Sequence, residues 1–216
     1  MAAECIRTAA AALAVLCVGA MQADEGRSYT PADIIGWDEH SFQGWTTYSL
    51  VEVDGRKAIH ARCTEGTASG LFLREEIDLE ETPVIEWSWR VDRTFREIDE
   101  TIRAGDDYPA RIYVVDERPI ARWRTRALNY VWSSEMEQGS DWPNAYAGQA
   151  RMIAVRSGPA DTEGLWHTER RNIREDFRRY HDREQTSVNA IAIMTDCDDT
   201  GQETEAWYGT LRLLPE

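Results

Sequence analysis

The sequence predicts a mostly β protein, an antiparallel β-sandwich with two short amphipathic helices packed on it. Hydrophobic and polar residues alternate in several short runs, as expected for strands with one buried and one exposed face, and turn-forming residues separate these runs. Two other segments repeat hydrophobic residues at helical spacing. Many short strands with few helices between them favour a sandwich.

The first 23 residues are predicted to be a signal peptide. Arg7 precedes an apolar run that is too short to span a bilayer and ends in small residues, which permits cleavage after Ala20 or Ala23. An uncleaved anchor is the alternative. No later segment is long and apolar enough to span a membrane, so no membrane insertion is expected after cleavage. We expect residues 24–216 to form a single β-sandwich domain of a periplasmic or secreted protein.

The alternation also predicts which face of each strand is buried. In the run VIEWSWRV, the two tryptophans share the face that we expect to face the core. In RIYVV, Ile112 and Val114 take one face, whereas Arg111 and Tyr113 take the other. The runs that follow the same pattern are LNYVW, ARMIAVR, NAIAIMT and AWYGTLRLL.

Two helices are predicted to interrupt the strands, the first over residues 92–107 and the second over residues 168–181. Each would place one apolar stripe on the sandwich. Gly105 is the expected stop of the first helix, and Thr168 is the expected cap of the second. The stripes consist of Phe95, Ile98 and Ile102 in the first helix and of Ile173, Phe177 and Tyr180 in the second.

The net charge of −15 constrains the partners. A chain this acidic repels nucleic acids and anionic membranes, so we expect neither as a partner. Lys57 is the only lysine, which nearly excludes a lysine nucleophile, whereas arginines that bind carboxylates are plentiful.

Cys63 and Cys197 lie beyond the predicted signal peptide. Whether they form a disulfide stays open, because pairing requires proximity that the sequence does not give.

The stretch MTDCDDTG, at residues 194–201, places three carboxylates and a glycine at the end of an apolar strand. Asp196, Asp198 and Thr200 occupy positions one, three and five of a calcium-loop pattern, and the glycine permits the sharp turn that brings their oxygens together. The closing glutamate is missing, since Trp207 stands at position twelve. Calcium binding at these three residues is therefore a hypothesis, and the sequence indicates no other cofactor. The alternatives are a turn bonded to its own backbone and a group of carboxylates that bind a ligand.

A second polar group surrounds the strand RIYVV. Asp106 and Asp107 precede this strand, and Arg111 opens it. An aspartate near an arginine at a strand end can bind a polar ligand or can form a buried ion pair. Tyr113 shares the face of Arg111, and Asn129 lies in the next run. We predict that these five residues form a ligand-binding surface, with a structural ion pair as the alternative.

A third polar group surrounds the start of the second predicted helix, where Arg171 and Asn172 are candidates for ligand binding. Arg170 and Arg174 would stand four residues apart with like charge, which is unfavourable in an isolated helix and suggests a partner elsewhere. An ion-pair network that ties the helix to the sandwich is the simpler interpretation. His167 is a candidate general base, although a lone histidine is more often structural.

The chain contains nine tryptophans, all beyond the predicted signal peptide. Trp37, Trp45, Trp123 and Trp142 fall in loop-like contexts and are candidates for exposure. Aromatic rings with carboxylates and arginines around them are typical of sugar-binding sites, because the rings stack on the apolar face of the sugar and the polar groups bind its hydroxyls. Packing in the core is the alternative for at least half of these rings.

Six motifs occur in order along the chain, namely WSWRV, GDDYPARIYVV, ALNYVWS, RNIREDFRRY, IAIMTDCDDTG and AWYGTLRL. In this order they resemble a family of bacterial exported proteins, the domain-of-unknown-function family 3047, over roughly residues 37–213. The resemblance implies an exported sandwich, jelly-roll-like as in carbohydrate-binding modules, and no established activity. The family usually reads T-D-[ST]-D-N-T-G where this chain has Cys197 and Asp199. A member of the family can thus lack Cys197, which weakens the case for a disulfide.

Three hypotheses about function follow. The first is a non-catalytic protein that binds a carbohydrate or a similar polar ligand through the second and third polar groups. The second is a polysaccharide lyase or glycoside hydrolase on the same scaffold, in which Arg111 neutralises a uronate, Tyr113 or His167 moves the proton, and Asp107 assists. The third is an envelope interaction protein without a small-molecule site. No catalytic signature such as G-x-S-x-G or H-E-x-x-H occurs, which favours the first hypothesis.

Overall fold

The structure is a computed structural model that describes residues 26–158 and 164–216, and the described part is mostly β. The predicted signal peptide lies outside the described residues. Two large sheets contain most of the strands. In spatial order, the first sheet consists of β12 (His167–Asn172), β7 (Val84–Val91), β15 (Thr204–Leu214), β4 (Arg56–Cys63) and β3 (Thr47–Val53), with β1 (Arg27–Tyr29) paired to β15.

The second sheet carries the groove described below. Its strands β9 and β11 run parallel, whereas every other strand pair in the described ranges is antiparallel. The predicted antiparallel arrangement therefore has one exception. In spatial order, the sheet consists of β10 (Asp141–Pro143), β11 (Ala150–Ser157), β9 (Arg126–Ser133), β8 (Ala110–Asp116), β14 (Ala190–Asp196), β5 (Ala68–Leu73) and β2 (Asp38–Gln43).

The remaining elements are short. No helix within the described ranges has both the length and the apolar character needed to cross a membrane. A two-stranded sheet consists of β6 (Ile77–Asp78) and β13 (Ser187–Val188), the α-helices are α1 (Pro31–Ile34) and α2 (Ile173–His181), and single 3-10 turns occur at Arg103–Gly105 and Arg122–Arg124.

The two large sheets pack face to face around the main hydrophobic core. The expectation that the tryptophans of β7 face the core is confirmed. Trp87 stacks on Tyr130 of the opposite sheet with 5.4 Å between ring centroids, and Trp89 contacts Trp132 at 5.8 Å. The aromatic residues that the sequence places on one face of each strand therefore join the sheets, and they leave the outer face of the second sheet free for other contacts.

Helix α2 forms over most of the second segment that was predicted to be helical. Asn172 caps it, because the Asn172 side chain accepts a hydrogen bond from the backbone N–H of Glu175 at 3.1 Å. The predicted cap, Thr168, instead lies inside β12. Ile173 and Phe177 are fully buried, so the predicted apolar stripe does face the core.

The predicted helix over residues 92–107 is wrong, since most of this segment is an irregular loop. The physical reason is Glu100, which is fully buried. Its carboxylate accepts hydrogen bonds from the backbone N–H groups of Ser134 at 2.8 Å and Met136 at 3.2 Å, and also from the Ser133 hydroxyl. Burial raises the pKa of Glu100, and these donors oppose that rise. Contacts across the fold thus outweigh the helical spacing.

A disulfide joins Cys63, at the end of β4, to Cys197, just beyond β14, with their Cα atoms 6.0 Å apart. The question that the sequence left open is answered, and the two cysteines pair. Phe95, from the loop over residues 92–107, packs on the bridge. The disulfide therefore links the first sheet to the turn that carries Asp198.

Candidate ligand-binding groove

A groove of about 580 Å³ lies on the outer face of the second sheet. Small side chains, among them Ala68, Ala127 and Ala150, form part of its lining, and larger side chains stand beside them. Because β8 alternates, the residues opposite its core-facing positions point into this groove. The candidate residues from the sequence that line it are Asp106, Arg111, Tyr113, Asn129, Asp196 and Asp198.

Arg111 and Asp196 form a buried ion pair in this groove. Arg111 is 4% exposed and Asp196 is 1% exposed. The rings of Tyr108 and Tyr113 lie 5.1 and 5.2 Å from the guanidinium carbon of Arg111. The Tyr108 backbone N–H donates a hydrogen bond to Asp196 at 3.0 Å. Two residues that the sequence assigned to separate sites, one for a ligand and one for a metal, thus neutralise each other.

Tyr113 and Asn129 are cross-strand neighbours on β8 and β9. Asn129 is 1% exposed, and its Oδ1 has no hydrogen-bond donor among the described residues. An unsatisfied buried acceptor costs about 1–3 kcal/mol, so a hydroxyl or amine of a ligand would gain by reaching it. Burial raises the pKa of Tyr113. The Tyr113 hydroxyl therefore stays protonated at neutral pH and can donate a hydrogen bond.

Aromatic side chains other than tryptophan form part of the groove wall. Phe42 of β2 is 58% exposed and Tyr146, in the turn between β10 and β11, is 54% exposed. Phe72 connects the ring of Phe42 to the floor, because its centroid lies 6.4 Å from that of Phe42 and 6.2 Å from that of Tyr113. Flat, partly exposed rings at a groove edge can stack on the apolar face of a sugar.

The four tryptophans that were candidates for exposure do not line this groove. Trp45 and Trp123 are exposed, at 59% and 75%, but they stand outside it. Trp142 is buried, and Trp37 packs against the main core. The exposed aromatic rings that do line the groove are those of Phe42 and Tyr146.

Three carboxylates, those of Asp106, Asp198 and Asp199, lie together at one end of the groove, which we call the acidic end. Burial, and then the charges of Asp107 and Asp199, raise the pKa of Asp198 to about 6. Burial also raises the pKa of Asp106 and of Asp199. Tyr146 donates a hydrogen bond to Asp199. Burial is the largest cause of all three shifts, and the charges of neighbouring carboxylates add to it.

Asp107 lies behind the acidic end and is fully buried. Its carboxylate accepts hydrogen bonds from the backbone N–H groups of Asp199 at 3.2 Å and Thr200 at 2.6 Å. The Thr200 hydroxyl accepts a hydrogen bond from the backbone N–H of Gln202 at 3.2 Å. Both side chains therefore shape the turn, and neither lines the groove.

The acidic residues that converge differ from the predicted metal set. Oxygens of Asp107, Asp198 and Asp199 lie within 4.8 Å of one another, and this is the one such group among the described residues. Asp196 is excluded from it because Arg111 binds its carboxylate. Only Asp198 of the predicted set belongs to this group.

The structure does not bring Arg171 and Asn172 into the groove. Arg171 binds Asp176 of α2, with 2.9 Å between Nε and Oδ2, and its guanidinium carbon lies 5.8 Å from the ring of Tyr130. Asn172 caps α2 and donates a hydrogen bond to Glu216 at 3.0 Å. The simpler interpretation from the sequence, a polar network that ties the helix to the sandwich, describes these contacts.

The proposed lyase arrangement is not assembled either. His167 lies on β12 of the first sheet, where its ring contacts Trp132 with 5.3 Å between centroids. Tyr113 lies on the groove side of the second sheet. The core separates the two side chains, so they cannot act on one ligand. Arg111 is paired with Asp196 through Nη2, whereas its Nε and Nη1 have no acceptor among the described residues.

Sequence reasoning missed several residues of the groove. For Phe42 and Phe72, the sequence shows only ordinary strand alternation, which does not indicate a ligand site. Asn144 and Tyr146 lie in a turn whose position depends on the parallel pairing of β9 and β11. Asp199 could have been predicted, because it belongs to the acidic stretch, but the calcium-loop pattern assigns the ligand positions to Asp196, Asp198 and Thr200.

The fold and the groove define a β-sandwich protein with a polar, aromatic-lined groove on one sheet. The family model described as "Protein of unknown function (DUF3047)" matches residues 35–212. The chain therefore belongs to that family, as the resemblance of its motifs predicted. No curated protein matches this sequence.

Several solved structures resemble the chain at low identity. The family 11 carbohydrate-binding module from Clostridium thermocellum, in complex with a β-1,3-1,4-mixed-linked tetrasaccharide, shares 11% identity at a TM-score of 0.46, over 88% of this chain and 96% of that one. The catalytic domain of Humicola grisea Cel12A shares 13% identity at a TM-score of 0.41, over 80% and 86%.

A third similar structure is the Endo-D glycoside hydrolase domain from Streptococcus pneumoniae R6, with 8% identity and a TM-score of 0.43. The match covers 82% of this chain and 21% of that one, so this chain spans about a fifth of its length. Similarities at this level of identity and TM-score show no activity for this chain.

Proposed function

We propose that this protein binds a carbohydrate or a similar polar ligand in the groove of the second sheet, without catalysis. One observation carries the proposal, namely that exposed rings, carboxylates and the unsatisfied Oδ1 of Asn129 line a single groove. Its volume of about 580 Å³ lies in the usual range for small-ligand sites. Sugars offer the matching chemistry, because they combine apolar ring faces with many hydroxyl donors.

Replacing Phe42 with alanine is expected to weaken glycan binding about three- to tenfold, the usual value of one aromatic contact. Trp45→Ala is the matched control, since Trp45 is 59% exposed and Phe42 is 58% exposed, but only Phe42 lines the groove. A glycan array with cell-envelope polysaccharide fragments identifies a ligand, and isothermal titration calorimetry then compares the variants.

Two outcomes would contradict the proposal, namely no binding of any envelope glycan by the wild-type protein, or equal losses in the two variants. The non-catalytic part has its own check. The bound oligosaccharide should be recovered uncleaved after prolonged incubation, and release of new reducing ends would show catalysis. Asp198, whose pKa is raised to about 6, is the first residue to replace in that event.

The same proposal extends to the class of sandwich. We assign the fold to the jelly-roll-like kind that the family resemblance implied, with the groove on the larger sheet.

An envelope interaction protein without a small-molecule site is the weaker hypothesis. It requires Asp106, Asp107, Arg111 and Arg171 to be fully buried in mutual pairs with no groove. The first three are buried, but Arg111 pairs with Asp196 and Arg171 pairs with Asp176, and a groove is present.

Calcium stays a proposal, in a narrower form than the sequence pattern suggested. The ligands would be Asp198 and Asp199, with Asp107 behind them, and not Asp196 or Thr200. Because Asp107 already accepts two backbone hydrogen bonds, we propose only a weak, exchangeable site. At about one hundred times its Kd, calcium should add about 2.7 kcal/mol to the free energy of unfolding. A melting temperature unchanged by calcium, or raised equally in Asp198→Asn, argues against the site.

Export also stays a proposal. The disulfide between Cys63 and Cys197 supports it, since such bonds persist mainly in oxidising compartments. Cleavage after Ala20 or Ala23 would leave a mature chain that begins at Met21 or Asp24. The intact mass of protein recovered from the periplasm or the medium tests this, and an uncut chain in the cytoplasm would contradict it.

A further inference from the structure

The charges around the groove are distributed unevenly. Two arginines line it, and each is already paired, Arg111 with Asp196 and Arg74 with Glu117, the latter at 2.6 Å. The three carboxylates of the acidic end have no such partner within the groove lining. The groove is therefore nearly neutral along its length and negative at one end.

The groups behind and beside the acidic end do not remove this excess. Asp107 adds a buried carboxylate, although backbone N–H groups bind both of its oxygens. Arg103 stands beside the rim, where its guanidinium carbon lies 4.8 Å from the ring centroid of Tyr146 and its Nε donates to the carbonyl of Ala145 at 3.3 Å. The Tyr108 hydroxyl and the Asn144 amide donate to Asp106, at 3.0 and 2.7 Å, but neither group carries a positive charge.

A second observation shows what kind of ligand group is missing. The Oδ1 of Asn129, almost fully buried in the same groove, is an acceptor without a donor among the described residues. Ionised carboxylates are also acceptors only. Asp198 and Asp199 at the acidic end and the Oδ1 of Asn129 on the floor therefore all offer acceptors to hydrogen-bond donors of a ligand, and the two carboxylates also lack a paired positive charge among the described residues. The Nε and Nη1 of Arg111 have the opposite need, since they have no acceptor among the described residues, and hydroxyl oxygens of a sugar would supply one.

We propose that the acidic end binds the free ammonium group of an amino sugar within an oligosaccharide. An ammonium group supplies three donors and one positive charge, and it suits a site of carboxylates that repel one another. An acetylated amine would lose the charge, and a uronic acid would add repulsion. The proposal rests on the glycan-binding function above and narrows its ligand class.

Isothermal titration calorimetry with matched oligosaccharides tests this. The series contains a neutral glucan, an N-acetylated hexosamine oligomer, the same oligomer with free amines and a uronic acid oligomer. Titrations in EDTA exclude metal ions, and a pH of about 6.5 lies below the ordinary pKa of an α-amino group, about 7.7–8.0. We expect the free-amine oligomer to bind at least about tenfold more tightly than its acetylated counterpart, and this advantage to shrink as salt rises from about 0.05 to 0.5 M.

Two variants with equal charge change locate the effect. Asp198→Asn/Asp199→Asn should lose the preference for the amine, so that the free and acetylated oligomers bind with similar affinity. Asparagine removes the charge but retains the oxygen that Tyr146 donates to. Glu76→Gln/Glu81→Gln is the control, because both glutamates are exposed and lie outside the groove. The single variant Asp198→Asn repeats the test if the double variant unfolds.

The outcomes separate the two proposals. Equal affinity for the free and acetylated oligomers, or preference for the uronic acid oligomer, would overturn the amine site and leave glycan binding intact. Loss of the preference in the control variant would show that the net charge of the protein, and not the acidic end, selects the amine. Failure to bind any oligosaccharide would overturn both.

Discussion

Replacing Arg111 with methionine is expected to lower the free energy of unfolding by about 3–5 kcal/mol, the usual cost of leaving a buried charge without its partner. Arg111 and Asp196 are both almost fully buried and bind each other. Methionine fills similar space but leaves the carboxylate of Asp196 with one donor among the described residues, the backbone N–H of Tyr108. Unfolding in urea, followed by circular dichroism, measures the loss.

The double variant Arg111→Met/Asp196→Asn distinguishes a structural ion pair from a ligand contact. Asparagine is uncharged and still accepts the hydrogen bond from Tyr108, so the double variant should recover at least about half of the stability lost by the single one. If the single variant is as stable as the wild type, the ion pair contributes little. Arg111 would then be better explained as a ligand-binding residue.

Removing the disulfide is the second change with a large expected effect. The variant Cys63→Ala/Cys197→Ala should lose about 2–5 kcal/mol of the free energy of unfolding, because the bridge closes a sequence separation of 134 residues and such long loops gain most from a cross-link. The melting temperature should fall by about 5–15 °C. Differential scanning calorimetry of both proteins measures the difference.

A reducing agent provides the control for this prediction. Tris(2-carboxyethyl)phosphine should lower the melting temperature of the wild-type protein toward that of the double variant and should leave the variant unchanged. A variant as stable as the oxidised wild type would show that packing around Phe95, and not the disulfide, stabilises the contact between the end of β4 and the turn after β14.

The strands could be predicted from the sequence because their alternation reports burial directly. Ile112 and Val114 face the core and Tyr113 faces the groove, as the pattern of β8 requires. The same reasoning failed over residues 92–107. There the decisive residue is Glu100, whose partners lie more than thirty residues away along the chain. The local spacing of hydrophobic residues cannot predict contacts between residues so far apart in the sequence.

The residues of the candidate site could be predicted where they lie on one strand, just before it, or on the neighbouring strand. Asp106, Arg111 and Tyr113 are close in sequence, and Asn129 lies opposite Tyr113 on the next strand. Phe42 comes from the far edge of the sheet, and nothing in its own run indicates that edge. Residue type alone also could not separate Asp198, which lines the groove, from Asp107, which braces its turn.

The anchoring of the turn after β14 has a consequence for binding. The disulfide holds Cys197, and Asp107 holds the backbone N–H groups of Asp199 and Thr200, so the acidic turn is fixed from both sheets. A ligand that reaches this turn does not have to order it first. The conformational entropy that a flexible loop would lose on association has already been lost during folding, and the interaction energy of the ligand is retained as affinity.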